Sequence, residues 1–348
     1  MSTPTSESLN TTDGISAEPT GASAVVPTLP MRSGGPFSDW LHRGLYDRVI
    51  AALHALPTRF VSPLVIEGVS VTDLFTMNTP LGAAIEVSVV DSLNGLRSLW
   101  DPDGEYAGYI FVRQAQTFPD VLLKSTDPNV SIDARVLMGI ELKGWFAIAK
   151  EGEPSYRYYA SVNACAPADL LVVVPWVFDS IVSGKPRLLQ PIITEARFAA
   201  EMRNYYWEHG RSARSEGSRA VVIAPHAGYY PNKNDQYSDR AENDNGGNFG
   251  RIARCNVMDE EVKAIFQKEI LGVPLTLWQR FLTIFSENRT LQNALNRVDS
   301  IGQEVNGRAT ISRTQQEETI RLLSEALELL KARLDEPIVP PARRSRPR

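Results

Sequence analysis

The run "DLLVVVPWVF", Asp169 to Phe178, constrains this chain more than any other stretch. Eight of its last nine residues are aliphatic or aromatic, the ninth being proline, with no polar alternation. A strand with one wet face alternates, so an unbroken run predicts a strand covered on both faces. Such a strand needs a sheet around it and helices or loops over that sheet.

The flanking sequence supplies both. "FSDWLHRGLYDRVIAALHALP" places Leu41, Leu45, Val49 and Leu53 at helical spacing. Thr79-Pro80 reads as an N-cap and N1 proline opening a second helix, "LGAAIEVSVVDSLNGLRSLW". "GYIFVRQAQTFPDVLL", "ARVLMGIELKGWFAIAK" and "SYRYYASV" read as strands, and "TEARFAAEMRNYYWEHG" returns to helix. A long polar stretch then precedes C-terminal helices. This order predicts an α/β (α+β) domain with a central sheet flanked by helices.

The ends differ from the middle. Residues 1–35 are Ser, Thr, Gly and Pro with little to pack and read as a disordered arm, and residues 337–348 as a basic flexible tail. Between them, 36–280 reads as the main domain and 281–336 as a helical region. There Ile320, Leu323, Leu327, Leu330 and Leu334 form a short heptad seam, suited to docking on the protein's own core or to a dimer coil.

No apolar run reaches the roughly 20 residues that span a bilayer, and the N-terminus lacks a secretory pattern. With only Cys165 and Cys255 there is no disulfide framework, and a reducing, cytoplasmic setting is expected. His42, His54, His209 and His226 show no metal spacing. A net charge of −5 argues against non-specific coating of nucleic acid but permits a local basic groove. Of 36 basic residues 28 are Arg and 8 Lys, which makes each lysine more informative.

One lysine stands in an unusual place. "GIELKGW", Gly139 to Trp145, lies in the most strand-like segment. Alternation puts Val136, Met138, Ile140, Leu142, Phe146 and Ile148 on one face, and Glu141 and Lys143 on the other, about 6–7 Å apart. Upstream, "QTFPDVLL" carries Asp120, and the intervening "STDPNV" is turn-forming. If the two strands pair as a hairpin, Asp120 meets Glu141. Paired carboxylates repel unless a cation neutralises them, and a hard divalent ion, Mg²⁺ or Mn²⁺, would do so through oxygen ligands and water. Lys143 could then orient or deprotonate that water, an arrangement suited to phosphodiester hydrolysis. The other reading is an internal Glu141–Lys143 ion pair on a structural strand. Glu86 shares its helical face with Val90 and Leu93, so it either turns inward as a third carboxylate or reaches solvent at the rim. Glu261 and Lys263 repeat the acid-x-lysine spacing on what reads as a solvated helix.

Pro119-Asp120 followed by Glu141-Leu142-Lys143 resembles the PD-(D/E)XK nuclease superfamily, and within it the type II restriction endonucleases. The resemblance covers roughly residues 79–178. It implies a restriction-endonuclease-like mixed sheet flanked by helices, with Asp120 and Glu141 binding Mg²⁺, or Mn²⁺ in its place, and Lys143 assisting water attack. Glu86 matches the first-helix acid of many members. A rival Pro-Asp pair ends at Asp103, in a turn-like stretch. The resemblance further implies a sequence-specific endonuclease of double-stranded DNA, commonly a homodimer, with a cognate DNA methyltransferase encoded nearby. A repair or modification-dependent nuclease, or a non-catalytic DNA-binding protein on the same scaffold, are the alternatives.

Base recognition is expected between residues 195 and 256. "RNYYWEHGRSARSEGSR" offers Arg203, Arg211, Arg214 and Arg219 among Tyr205, Tyr206 and Trp207; "ENDNGGNFGRIAR" offers Asn248, Arg251 and Arg254. These are side-chain types that grip phosphate or read purine edges, although core packing and ordinary loop polarity give the same composition.

Overall fold

The computed structural model describes residues 27–328 apart from 68–70, 115, 132–133, 150, 155, 212–218, 226–227, 245–246, 287–290, 308–311, 315–316, 318, 322 and 325–327. Helices α1 (Arg43–Arg59), α2 (Val71–Gly95) and the short α3 (Arg97–Trp100) precede the sheet. Strands β1 (Tyr109–Arg113), β2 (Val121–Ser125), β3 (Val136–Phe146), β4 (Leu170–Phe178), β5 (Pro186–Leu188) and β6 (Ile192–Glu195) form it. Helix α4 (Ala196–Tyr205) follows at once, and α5 (Asp259–Phe266), α6 (Leu275–Ser286) and α7 (Leu291–Asn306) lie toward the C-terminus.

The fold is mixed α/β. β1, β2 and β3 form an antiparallel meander, and β3 runs parallel to β4. β5 and β6 share the far edge of β4, along residues 176–178 and 170–173 respectively. All nine residues of β4 are buried, as the unbroken apolar run predicted. Each such Val or Leu contributes about 1.5–3 kcal/mol on burial. Phe146 and Trp176 stack between β3 and β4 with ring centroids 4.6 Å apart. Helix α2 packs on β3 and β1, α4 on β4 and β6, and α6 on α2.

Several sequence expectations are corrected. Helix α2 begins at Val71, and Pro80 lies inside it rather than at its start. Proline removes one intrahelical bond. Burial of Leu81, Ile85, Val89 and Leu93 holds the helix together beyond that gap. Leu41 is 87% exposed and lies before α1, whereas Leu45, Val49 and Leu53 are buried. "GYIFVRQAQTFPDVLL" divides into β1 and β2, with a cis Phe118–Pro119 peptide between them. Among the described residues "SYRYYASV" forms no sheet strand: it makes single bridges, Arg157 to Arg251 and Ala160 to Ser238.

The termini also differ from expectation. Ser33, Gly34 and Gly35, read as the end of a loose arm, donate backbone hydrogen bonds to the Glu195 carboxylate at 2.8–3.1 Å. Residues 1–26 and the basic tail lie outside the described residues. Helix α6 runs across the boundary expected at residue 280. Of the heptad seam, Leu323 is buried and Ile320 half exposed, while Leu327, Leu330 and Leu334 lie outside the described residues.

Candidate active site

β3 is longer than β2, and this mismatch builds the site. The pairing of β2 with β3 ends at Val121 opposite Ile140. Beyond that point the N–H groups of Leu142 and Gly144, which face the β2 side, have no strand partner. Backbone donors left unpaired in a half-buried place are costly. Carboxylates replace the missing strand: Leu142 N donates to Asp120 Oδ2 at 3.0 Å, and Gly144 N to Glu86 Oε1 at 3.1 Å. Asp120 sits opposite Glu141, as the hairpin register requires, and its N–H donates to Glu141 Oε2 at 3.2 Å.

Lys143 closes the cluster. Its Nζ lies 2.7 Å from Glu141 Oε1 and 3.2 Å from Asp120 Oδ2. The three side chains are partly covered, at 29% exposure for Asp120, 13% for Glu141 and 20% for Lys143. Burial pushes the Glu141 carboxyl up to about 7; the Asp120 charge pushes the same way and the Lys143 charge opposes. Burial works against the Lys143 ammonium, but Glu141 and Asp120 outweigh it and raise its pKa. Lys143 is therefore held protonated, which suits orienting a water better than deprotonating one. Glu86 turns inward, with a carboxyl raised chiefly by burial and countered by the Gly144 hydrogen bond and the Lys143 charge. It stands beside the cluster rather than on the ammonium.

Two carboxylates converging on one positive charge are hard oxygen donors, the set a divalent ion such as Mg²⁺ prefers. Among the described residues no three His, Cys, Asp or Glu side chains form a ready-made cage. Asp120 and Glu141 are the oxygen donors here that could hold such an ion, with water completing its shell.

A layer behind the site escaped the sequence reading. Asp169 is fully buried and accepts from Gly139 N at 2.7 Å and Ala166 N at 2.8 Å. An acid heading an unbroken apolar strand was the available signal. A Cβ on Gly139 would lie 2.3 Å from Pro119 Cγ and 2.8 Å from Asp169 Oδ1. One on Gly144 would lie 3.0 Å from Gly82 Cα on α2. Packing therefore accounts for both glycines. Tyr237, stacked on Phe118, also feels the charges of Glu141 and Asp120.

The expected recognition residues are largely occupied elsewhere. Arg203 is buried and pairs with Asp239 at 2.6 Å while donating to the carbonyls of Tyr158 and Ala160, so it is structural. Arg254 holds Glu153 at 3.6 Å and donates to Asn248 Oδ1 at 2.9 Å. Arg251 bridges to Arg157 through its backbone, and its buried Nε has no partner among the described residues. Arg211 lies over Trp207, itself buried edge-on to Phe249, and Arg214 lies outside the described residues. The rival Asp103 is exposed in the turn before β1, and Lys263 bonds Glu260 on the solvated face of α5.

No protein-family model, curated protein or solved structure matches this chain. No helix among the described residues is long and apolar enough to cross a membrane.

Proposed function

We propose that the chain is a Mg²⁺-dependent endonuclease of double-stranded DNA, built on the PD-(D/E)XK plan and acting as a type II restriction enzyme in the cytoplasm. The supporting observation is the meeting of Asp120, Glu141 and Lys143 at the free edge of β3. The order of elements agrees with the resemblance: a helix carrying Glu86, a hairpin carrying the other three groups, then the buried β4. Asp120 and Glu141 would hold the ion, which when bound polarises a phosphoryl oxygen and lowers the pKa of water. Lys143, fixed by both carboxylates, orients the attacking water, and Glu86 adds negative charge behind it. A homodimer would match a two-fold DNA site and cut both strands. A DNA methyltransferase encoded nearby would complete a restriction system.

The test is digestion of varied methylated and unmethylated plasmids with Mg²⁺. The wild-type protein cleaves, and Lys143→Ala lowers the rate by at least about 100-fold. No cleavage of any DNA, or equal cleavage by the variant, overturns the proposal. One observation favours a second reading, a non-catalytic DNA-binding protein: the same carboxylates pair Lys143 and cap orphan N–H groups. DNA binding without cleavage would support that alternative.

A further inference from the structure

A cleft of about 720 Å³ opens over the meander and is lined by Arg113, Lys124, Arg135 and Lys233, together with Gln114 and Tyr229. Among the described residues no acid lines it, although the chain carries a net charge of −5. All four cations are exposed, and none makes an ion pair among the described residues. Tyr229 is 52% exposed. The far wall is pinned where Thr117 Oγ1 donates to Pro231 O at 2.9 Å. Asp127 stands in the adjoining hollow beyond Lys124, with Oδ1 engaged by Asn129 N.

The cleft and the acid cluster lie on one face of the sheet. Val112 pairs with Leu122 and Ile110 with Lys124. Leu122 pairs with Gly139. Strand alternation then puts Asp120, Leu122 and Lys124 on the same side as Gly139, Glu141 and Lys143. Lys124 lies about 13 Å along β2 from Asp120. Arg113, opposite Val121, falls by the same alternation on the other face, where its charge acts on Glu86 of α2.

We infer that this cleft carries the phosphodiester backbone of duplex DNA into the acid cluster. This rests on the nuclease reading for what happens at the cluster, but not for the binding itself. Four cations drawn from separate segments around one cleft suit a repeating anion better than a single phosphate. The exposed Tyr229 adds a surface for sugar or base contact. These residues would position the duplex without selecting its sequence, because phosphate contacts carry no base information.

The test uses a fluorescein-labelled duplex of about 20 bp in EDTA, followed by anisotropy from roughly 50 to 200 mM NaCl. Lys124→Ala/Arg135→Ala should bind at least about 10-fold more weakly, with the salt slope reduced by about 2. Lys185→Ala/Arg187→Ala, the same charge change at the β5 edge, should stay within about 2-fold of wild type. Circular dichroism and melting checks confirm that both variants fold. Equal losses in both double variants, unchanged binding by the first, or no duplex binding by wild type each overturn the inference. Cleavage, read beside binding, separates the two proposals. If wild type never cleaves but binds through Lys124 and Arg135, only the nuclease reading falls. If wild type cleaves and the cleft variant binds and cuts normally, only the cleft falls.

Discussion

Asp169 has no access to solvent, yet it accepts two backbone hydrogen bonds that favour its ionised form. Burial outweighs them and pushes its carboxyl up to about 7, from roughly 3.9 in an unfolded chain. The folded state therefore binds this proton more tightly than the unfolded state. The associated stability is full below about pH 4 and is lost as pH rises through 7. Melting temperature should fall from pH 5 to 8, and Asp169→Asn should flatten that fall. The variant should also be less stable at every pH, by about 1–3 kcal/mol, because an amide NH₂ meets one of the two N–H donors. An equally steep pH profile in the variant would remove Asp169 from this role. At this scale Asp120, Glu141 and Lys143 were legible in the sequence, because period-two alternation alone decides which side chains share a face. Glu86 was half legible: its helical face pointed inward, but its partner is a backbone N–H that no spacing reveals. Asn248 and Arg254 hydrogen-bond each other, a pairing their residue types suit as well as they suit DNA, so composition alone does not separate the two uses.

Helix α2 approaches β3 where Gly82 meets Gly144, and a methyl group on Gly144 would sit tight against the helix backbone, 3.0 Å from Gly82 Cα. Gly144→Ala should cost about 1–3 kcal/mol by denaturant unfolding, since the obstructing atoms are backbone and cannot rotate away. It should also loosen Glu86 from Gly144 N. Stability equal to wild type would show that the helix shifts freely. The existence of α2 was legible from its apolar stripe, but its start was not. Proline usually marks a helix opening, and here packing of the following turns overrides that preference. The segment around Tyr156 to Ser161 failed differently. Its β-forming residues pair with distant loop residues rather than with a neighbouring strand, and only tertiary contact decides that.

Across the molecule, the long polar stretch after α4 is fastened rather than free. Arg203 and Asp239 form an ion pair with almost no exposure, and Asp239 Oδ1 also accepts from Ala224 N at 3.0 Å. Arg203→Met leaves that carboxylate buried without a counter-charge, at a cost of about 3–5 kcal/mol. Limited proteolysis should then cut between residues 228 and 244 before the rest of the chain. Resistance equal to wild type would show that other contacts hold the loop. The sequence marked this stretch as a recognition surface from its length and polarity. In the fold Arg203 and Asp239 fasten it beside Tyr158 and its Tyr237 stacks on Phe118, while the basic cleft over β1, β2 and β3 lies exposed beside the acids. That cleft was illegible because its four cations come from separate segments.

The unequal lengths of β2 and β3 carry one further consequence. A slip of one residue in that pairing would turn Glu141 and Lys143 toward the interior and present Leu142 in their place. It would also withdraw the acceptors from Leu142 N and Gly144 N. A hairpin in the wrong register therefore carries no part of the cluster, so the grouping of these side chains reports the alignment of the sheet itself.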